Sequence, residues 1–364
     1  MRQTQMPHEG RTLVNHWRGL LLGGLFCALG LALATLAAHA GAGQPTAGEM
    51  GLQDSVTPVM DDIRWFHNSW VNPIIVCIML FVMALMAYVM WRFSETNNPT
   101  PSKLTHHTGL EVAWTVVPIL ILIAIAVPSF RLLFFEYSYP KPDLTIKATG
   151  NAWFWDYQYP DNDNIKLTSN MISDEDLLEA ALGKDAFTKK YAGLDGVQLT
   201  KALYADAKPL WATPPEKFTG SKLVRQLSVD NEIAVPVNKV VHVLITSNDV
   251  IHSWTVPSFG SKQQAVPGRV TATWFQATKE GIYYGQCSVL CGRNHSSMPI
   301  AVRVVNDQVF AAWVAAVKAR DLKKARGILI AAAPDAVPRS FAELTNGLVA
   351  DGLAGGVVPD NPAR

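Results

Sequence analysis

Gly285 to Pro299 reads GQCSVLCGRNHSSMP, and within it Cys287, Cys291, His295 and Met298 follow one another at intervals of four, four and three. Another histidine, His252 in DVIHSWTVP, lies 35 residues before Cys287. Thiolate, imidazole and thioether are soft to borderline ligands, and a thioether in the set points to copper rather than zinc. A loop between two strands can wrap such ligands around a metal. On the residues alone, other readings stay open. Two cysteines in an oxidising compartment can form a disulfide. A Cys2His2 zinc site leaves Met298 idle and lacks the common C-x2-C spacing. A blue copper site, with one Cys, two His and a Met, leaves one thiolate unexplained. Two thiolates and two histidines also suffice for a pair of coppers sharing both sulfurs.

Outward from this loop the pattern has period two. Leu144, Ile146 and Ala148 alternate with Thr145, Lys147 and Thr149, as Val241, Val243 and Ile245 do with His242, Leu244 and Thr246. Short strands follow at Thr271 to Gln276, Gly281 to Gln286 and Pro299 to Val305, with Pro267-Gly268 and Glu280-Gly281 as turns. Many short strands at this spacing predict an antiparallel sandwich or barrel. Met171 to Gly220 is polar, and Ser173 before DEDLLEAAL reads as an N-capped helix inside an insertion. After Asn306, DQVFAAWVAAVKAR is a helix, and Arg326 to Arg364 is an Ala/Gly/Pro-rich tail.

Upstream, charge disappears. The chain of 364 residues is 49% hydrophobic but only 17% charged, against roughly 25% in an average soluble domain. Gly19 to Ala38 is uncharged, preceded by Arg2, Arg11 and Arg18 and followed by Ala38-His39-Ala40. That is the layout of an export signal, either cleaved after Ala40 or retained as a helix. Two further runs, about 70–92 and about 112–134, have the roughly 20 apolar residues that cross a bilayer. Trp70 and Trp91 mark the ends of the first, where amphipathic rings favour the interface. The loop between them carries Arg92 and Lys103 with Glu95, a weak positive-inside signal. The two spans form a hairpin with a cytoplasmic loop, and everything from about Tyr137 lies outside the cytoplasm. The net charge of +1 is no nucleic-acid footprint.

These residues resemble subunit II of the haem-copper cytochrome c oxidases. The resemblance covers roughly 54–305 apart from the insertion. It rests on Cys-x3-Cys-x3-His-x2-Met with an upstream His, and it implies a cupredoxin-like all-β sandwich behind a transmembrane helical hairpin. The division is then 1–40 signal, 41–136 hairpin, 137–306 periplasmic domain with the insertion at about 171–220, and 307–364 helix and tail. The implied cofactor is a binuclear copper A centre. By position, Cys287 and Cys291 bridge both coppers, one also taking His252 and Met298, the other His295 and the backbone carbonyl of Val289. The family's usual residue at Val289 is Glu, whose side chain reaches a magnesium or manganese ion at the border with subunit I. Valine puts that ion in doubt. Haems belong to subunit I.

In GNAWFWDYQYP, Trp153 matches the family's surface Trp that receives electrons from cytochrome c, while a strand here puts Trp153, Trp155, Tyr157 and Tyr159 on one face. The family docks a basic cytochrome c on acids around that Trp. Here Gln158, Asn248 and Gln264 are neutral where acids are usual and Asp249 remains, so steering of a basic donor is weaker. Glu111 matches a carboxylate at the cytoplasmic mouth of a proton channel of subunit I, and Thr108-Gly-Leu-Glu111 also reads as a capping box. His67, His106, His107 and His242 lack partners at metal spacing and read as structural. The function implied is electron input to a proton-pumping terminal oxidase in the bacterial inner membrane, beside subunits I and III. A membrane-anchored copper-delivery protein is the alternative.

Overall fold

Capping begins the first helix among the described residues. Thr57 accepts the Met60 N–H at 3.1 Å, Pro58 follows, and α1 runs Pro58–Phe66. The computed structural model describes residues 43–46, 49–215 and 223–332. The expected export signal over 1–40, the tail beyond 332 and part of the insertion lie outside the described residues. Through a π-helical turn at His67–Val71, α1 continues into α2, Asn72–Arg92. After a loop comes α3, Thr108–Glu136, with Pro118 and Pro128 inside it. Neither α2 nor α3 has a buried residue. At 1.5 Å per residue α2 is about 32 Å long, close to the roughly 30 Å of a hydrocarbon core.

The expected cap on α3 moves by one residue. His107, not Thr108, is the N-cap: its Nδ1 accepts the Leu110 N–H at 3.2 Å. The Glu111 carboxylate accepts the His107 N–H, also at 3.2 Å. An imidazole with a free lone pair serves an orphan helical donor as a hydroxyl does, and Glu111 reaches one residue further back.

The sandwich follows as β1 Leu144–Asn151, β2 Phe154–Tyr159 and β3 Ile165–Ser169, then β4 Ile233–Pro236 and β5 Val240–Ser247. The remaining strands are β6 His252–Val256, β7 Ser261–Ala265, β8 Thr271–Gln276, β9 Gly281–Gln286 and β10 Pro299–Val305. Five form one sheet, in order β3-β2-β1-β5-β8; β4-β10-β9 form a second, and β6-β7 pair alone. Inward residues of the two larger sheets, among them Ile146, Trp155, Val243, Phe275, Ile300 and Val302, make the core with Trp254 of β6. The expectation of a purely antiparallel sandwich is corrected: β1 pairs with β5 and β4 with β10 in parallel. Period-two alternation is the same for both pairings. Parallel neighbours need a long crossover, and the connection between β1 and β5 contains the insertion.

That insertion is helical throughout its regular part: α4 Asp174–Leu182, α5 Lys184–Lys190 and α6 Gly196–Ala212. Ser173 and Asp176 form a reciprocal capping box on α4, and Arg225 closes on Asp174 at 2.7 Å. Behind the sandwich, α7 Asp307–Lys318 lays Trp313 edge-on to Tyr159. A further helix, α8 Leu322–Ala332, takes the start of the expected tail; Ala325 and Leu329 are its buried residues.

Anchor and sandwich are joined by specific bonds. Trp274 of β8 donates to the Glu136 carbonyl at 2.9 Å and meets Phe135 edge-on. Thr57 donates to the Phe259 carbonyl at 2.8 Å.

Candidate metal centre

Antiparallel pairing of β9 with β10 sets Gln286 opposite Pro299, which closes the chain from Cys287 to Met298 into one loop at the end of the second sheet. Inside it the Cys287 and Cys291 sulfurs lie 3.8 Å apart. A disulfide needs about 2.05 Å, and both thiols are free. Cys291 Sγ is 3.4 Å from His295 Nδ1 and 3.6 Å from Met298 Sδ. Cys287 Sγ is 3.3 Å from the Val289 carbonyl oxygen and 4.0 Å from His252 Nδ1. His252 arrives from β6. One ligand atom each from His252, Cys287 and Cys291 lies within 4.8 Å of the others. Two soft thiolates, two imidazoles, a thioether and a carbonyl thus converge.

Around them sit groups that orient the donors. His252 is fully buried, and its Nε2 faces Asp249 Oδ1 at 2.8 Å, which leaves Nδ1 toward the sulfurs. Metal-binding histidines are typically held this way by a carboxylate on the far nitrogen. Asp249 also accepts the N–H groups of Ala152 and Val250, both at 2.6 Å. Gly150 lies against the His252 ring: a Cβ there would stand 2.8 Å from it. Trp155 meets the same ring edge-on and donates to the Met298 carbonyl at 3.2 Å.

The protonation pattern follows from this packing. Burial pushes the Cys287 thiol up, but hydrogen bonds from His252, the Ser253 and Val289 backbone and Cys291 outweigh it and bring it down to about 7. Cys291 goes the other way, to about 12, through burial and the neighbouring Cys287 charge. Burial lowers His252, yet its bonds to Cys287 and Asp249 leave it raised. Two thiolates this close repel, so a bound cation is what lets both ionise. The donor set fits a soft metal.

The other predicted residues divide. Trp155, Tyr157 and Tyr159 share the buried face of β2. Trp153 falls outside the strand, in the turn before it, so the expected four-residue aromatic face has three members. A turn breaks the period-two alternation, and Trp153 instead donates to the Cys291 carbonyl at 3.2 Å. Asn248 is bonded to Asn151 and Gln158 to Asn164; Gln264 is exposed. Glu111 stands at the far end of α3, about 38 Å along the helix from Glu136. His242 faces the Pro140 carbonyl at 2.7 Å, remote from the cluster, as are His67, His106 and His107. The orienting roles of Asp249, Gly150 and Trp155 were not read from sequence. Only Asp249, three residues before a candidate ligand, carried a signal.

Residues 45–132 match the family described as cytochrome c oxidase subunit II, transmembrane domain. Residues 144–189 and 210–305 match the periplasmic domain of the same subunit. The chain is similar to cytochrome c oxidase subunit 2 of Cereibacter sphaeroides, 43% identical over 272 residues, 75% of this chain and 81% of that one. A probable cytochrome c oxidase subunit 2 of Rickettsia felis is 42% identical over 274 residues, 75% of this chain and 73% of that one. A crystal structure of the periplasmic domain of subunit II of cytochrome oxidase of Bradyrhizobium japonicum is 40% identical. It covers 50% of this chain and 99% of that one, at a TM-score of 0.36.

Proposed function

The chain belongs to the cytochrome c oxidase subunit II family, and from that premise we propose that it is the electron-input subunit of a proton-pumping terminal oxidase. It is a membrane protein with an external C-terminal domain and a subunit of a haem-copper oxidase. In the proposal it sits in a bacterial inner membrane beside subunits I and III. It takes single electrons from cytochrome c or another small redox protein and hands them to haem in subunit I, where oxygen is reduced to water.

The observation that carries this reading is the convergence of the donor atoms of His252, Cys287, Cys291, His295, Met298 and the Val289 carbonyl in one loop. Those residues are the proposed ligands of two coppers. A bound pair of coppers supplies a one-electron acceptor whose charge is shared over two metals and two sulfurs. Asp249 holds the His252 ring so that Nδ1 stays aimed inward. Trp153 is half-buried, and its indole N–H on the Cys291 carbonyl gives a donor at the surface a short hydrogen-bonded route to a ligand-bearing residue. Trp155 braces Met298 from beneath. Glu111 takes up protons on the cytoplasmic side for subunit I. Valine at 289 offers no side-chain ligand, so no step is assigned to a magnesium or manganese ion.

The acids beside Trp153 are engaged internally: Asp249 as described, and Asp156 with Asn151 and Thr168. With Gln158, Asn248 and Gln264 neutral around Trp153, docking of a basic donor is weakly steered by charge. Full-length chain in detergent, reconstituted with copper, tests the centre by optical absorption and EPR. An intense purple species with a mixed-valence multiline signal is expected. A single blue-copper signal, or no bound copper, would overturn the reading.

A further inference from the structure

On the outer side of the anchor a cleft of about 220 Å³ opens between α1 and α3. It is lined by Asp62, Trp65 and Phe66 from α1 and by Pro128, Arg131 and Leu132 from α3. Its walls carry opposite charges that do not meet. Among the described residues neither the Asp62 nor the Arg131 side chain has an ion pair or hydrogen bond. Opposite charges on the two walls of one small cleft fit a bipolar occupant, each end of which can make a charge-assisted bond.

Depth in the membrane says what that occupant is. From Val112 to Phe130 α3 has no charged residue, a length of about 27 Å at 1.5 Å per residue. That is nearly the roughly 30 Å hydrocarbon thickness. Arg131, the next residue, therefore lies at the level of lipid phosphates. Trp65 is half exposed at the same cleft, and tryptophan is the residue that settles at this boundary. Pro128, Leu132 and Phe66 give the cleft an apolar wall on which the start of an acyl chain can rest.

We propose that this cleft binds the headgroup of a zwitterionic, primary-amine phospholipid, phosphatidylethanolamine, with phosphate on Arg131 and ammonium on Asp62. The pairing discriminates by chemistry. An anionic phosphatidylglycerol headgroup satisfies Arg131 and leaves Asp62 facing no cation. A choline headgroup has a positive charge but no N–H to give to the carboxylate. The ethanolamine ammonium has three.

The test uses the purified oxidase complex containing this chain. It is stripped with detergent, equilibrated with mixed micelles of equal phosphatidylethanolamine, phosphatidylcholine and phosphatidylglycerol, washed, and read by mass spectrometry of retained lipid. The wild-type complex retains phosphatidylethanolamine in preference to the other two. Arg131→Gln loses it by about tenfold, the loss expected for a charge-assisted hydrogen bond. Asp62→Asn keeps phospholipid but loses the preference for ethanolamine over choline, and Arg92→Gln, on the cytoplasmic side, changes nothing. Equal retention of the three lipids by wild type overturns the proposal. So does unchanged retention by Arg131→Gln, or a neighbouring subunit's carboxylate seated on Arg131 in the assembled complex. Should Arg131→Gln fail to assemble, the comparison of wild type with Asp62→Asn decides alone. The copper spectrum is unaffected in all of these variants, so the result is separate from that of the metal centre.

Discussion

The exported sandwich and the membrane anchor treat their functional residues in opposite ways. In the sandwich three donors of the candidate metal cluster are positioned from within this chain: His252 by Asp249 and Gly150, Met298 by Trp155, Cys291 by the turn that carries Trp153. Among the described residues of the anchor nothing of the kind is seen. Helices α2 and α3 bury no residue, and Glu111 is held only by the backbone of its own cap. A site complete in one chain does its chemistry wherever that chain folds. A site left open needs the bilayer and other subunits to finish it.

The sharpest way to break the contrast is to remove a sulfur. Cys291→Ser leaves the sandwich folded, because the serine is nearly isosteric, although Cys291 is a buried member of the core cluster. It deletes one of the two proposed bridging thiolates, so reconstituted chain is expected to hold at most one copper, the mixed-valence signal to disappear, and turnover of the assembled oxidase to fall by at least about 100-fold. Copper content, EPR and oxygen consumption read the three effects. Two coppers retained in the variant would falsify the ligand assignment.

A smaller effect is expected one layer out. Asp249→Ala frees the far nitrogen of His252 and lowers copper affinity by about 10–100-fold, measured by competition with a chelator, with the fold intact by circular dichroism. Unchanged affinity would mean that burial alone orients the ring.

On the anchor side, Glu111→Gln keeps an oxygen for the His107 N–H and so preserves the cap. Turnover coupled to proton uptake falls several-fold while thermal stability stays within about 0.5 kcal/mol. Wild-type turnover would return Glu111 to a purely structural role.

The smallest effect concerns the insertion. Burial raises Asp174, but hydrogen bonds from Arg225 and Trp211 outweigh it and hold its carboxyl below the usual carboxylate range. A group depressed in the folded state stabilises above its unfolded pKa, about 3.9, and that contribution is lost as pH falls through the folded value. Helices α4 to α6 therefore open in acid before the sandwich does. Asp174→Asn weakens this acid dependence, leaving the part carried by Asp206, at a cost of about 1 kcal/mol near neutral pH. Hydrogen exchange between about pH 2 and 5 resolves it; simultaneous opening of insertion and sandwich would count against the bond's role.

Much of this was legible beforehand, for reasons that particular residues make plain. Ligand type and spacing named the cluster, because soft donors at close intervals on a short loop have few uses. Uncharged runs named the helices, because length and apolarity are all that a bilayer demands. What failed was relational. Alternation in Leu144 to Thr149 and Val241 to Thr246 could not say that the two strands pair in parallel. An aromatic every second residue could not say that a turn sets Trp153 apart from Trp155. The cap on α3 fell to His107 because imidazole and hydroxyl compete for the same N–H groups.

By itself the sequence determined which atoms are available to a metal, where charge is absent, and that a β-domain follows two spans. These are local properties, set by side-chain chemistry and by periods of a few residues. Tertiary structure alone decided that His252, 35 residues from Cys287, faces the same sulfurs. It also gave Asp249 to that ring rather than leaving it free at the surface, and it set Asp62 across a cleft from Arg131. Contacts distant in sequence depend on how strands and helices pack, and no local period encodes that.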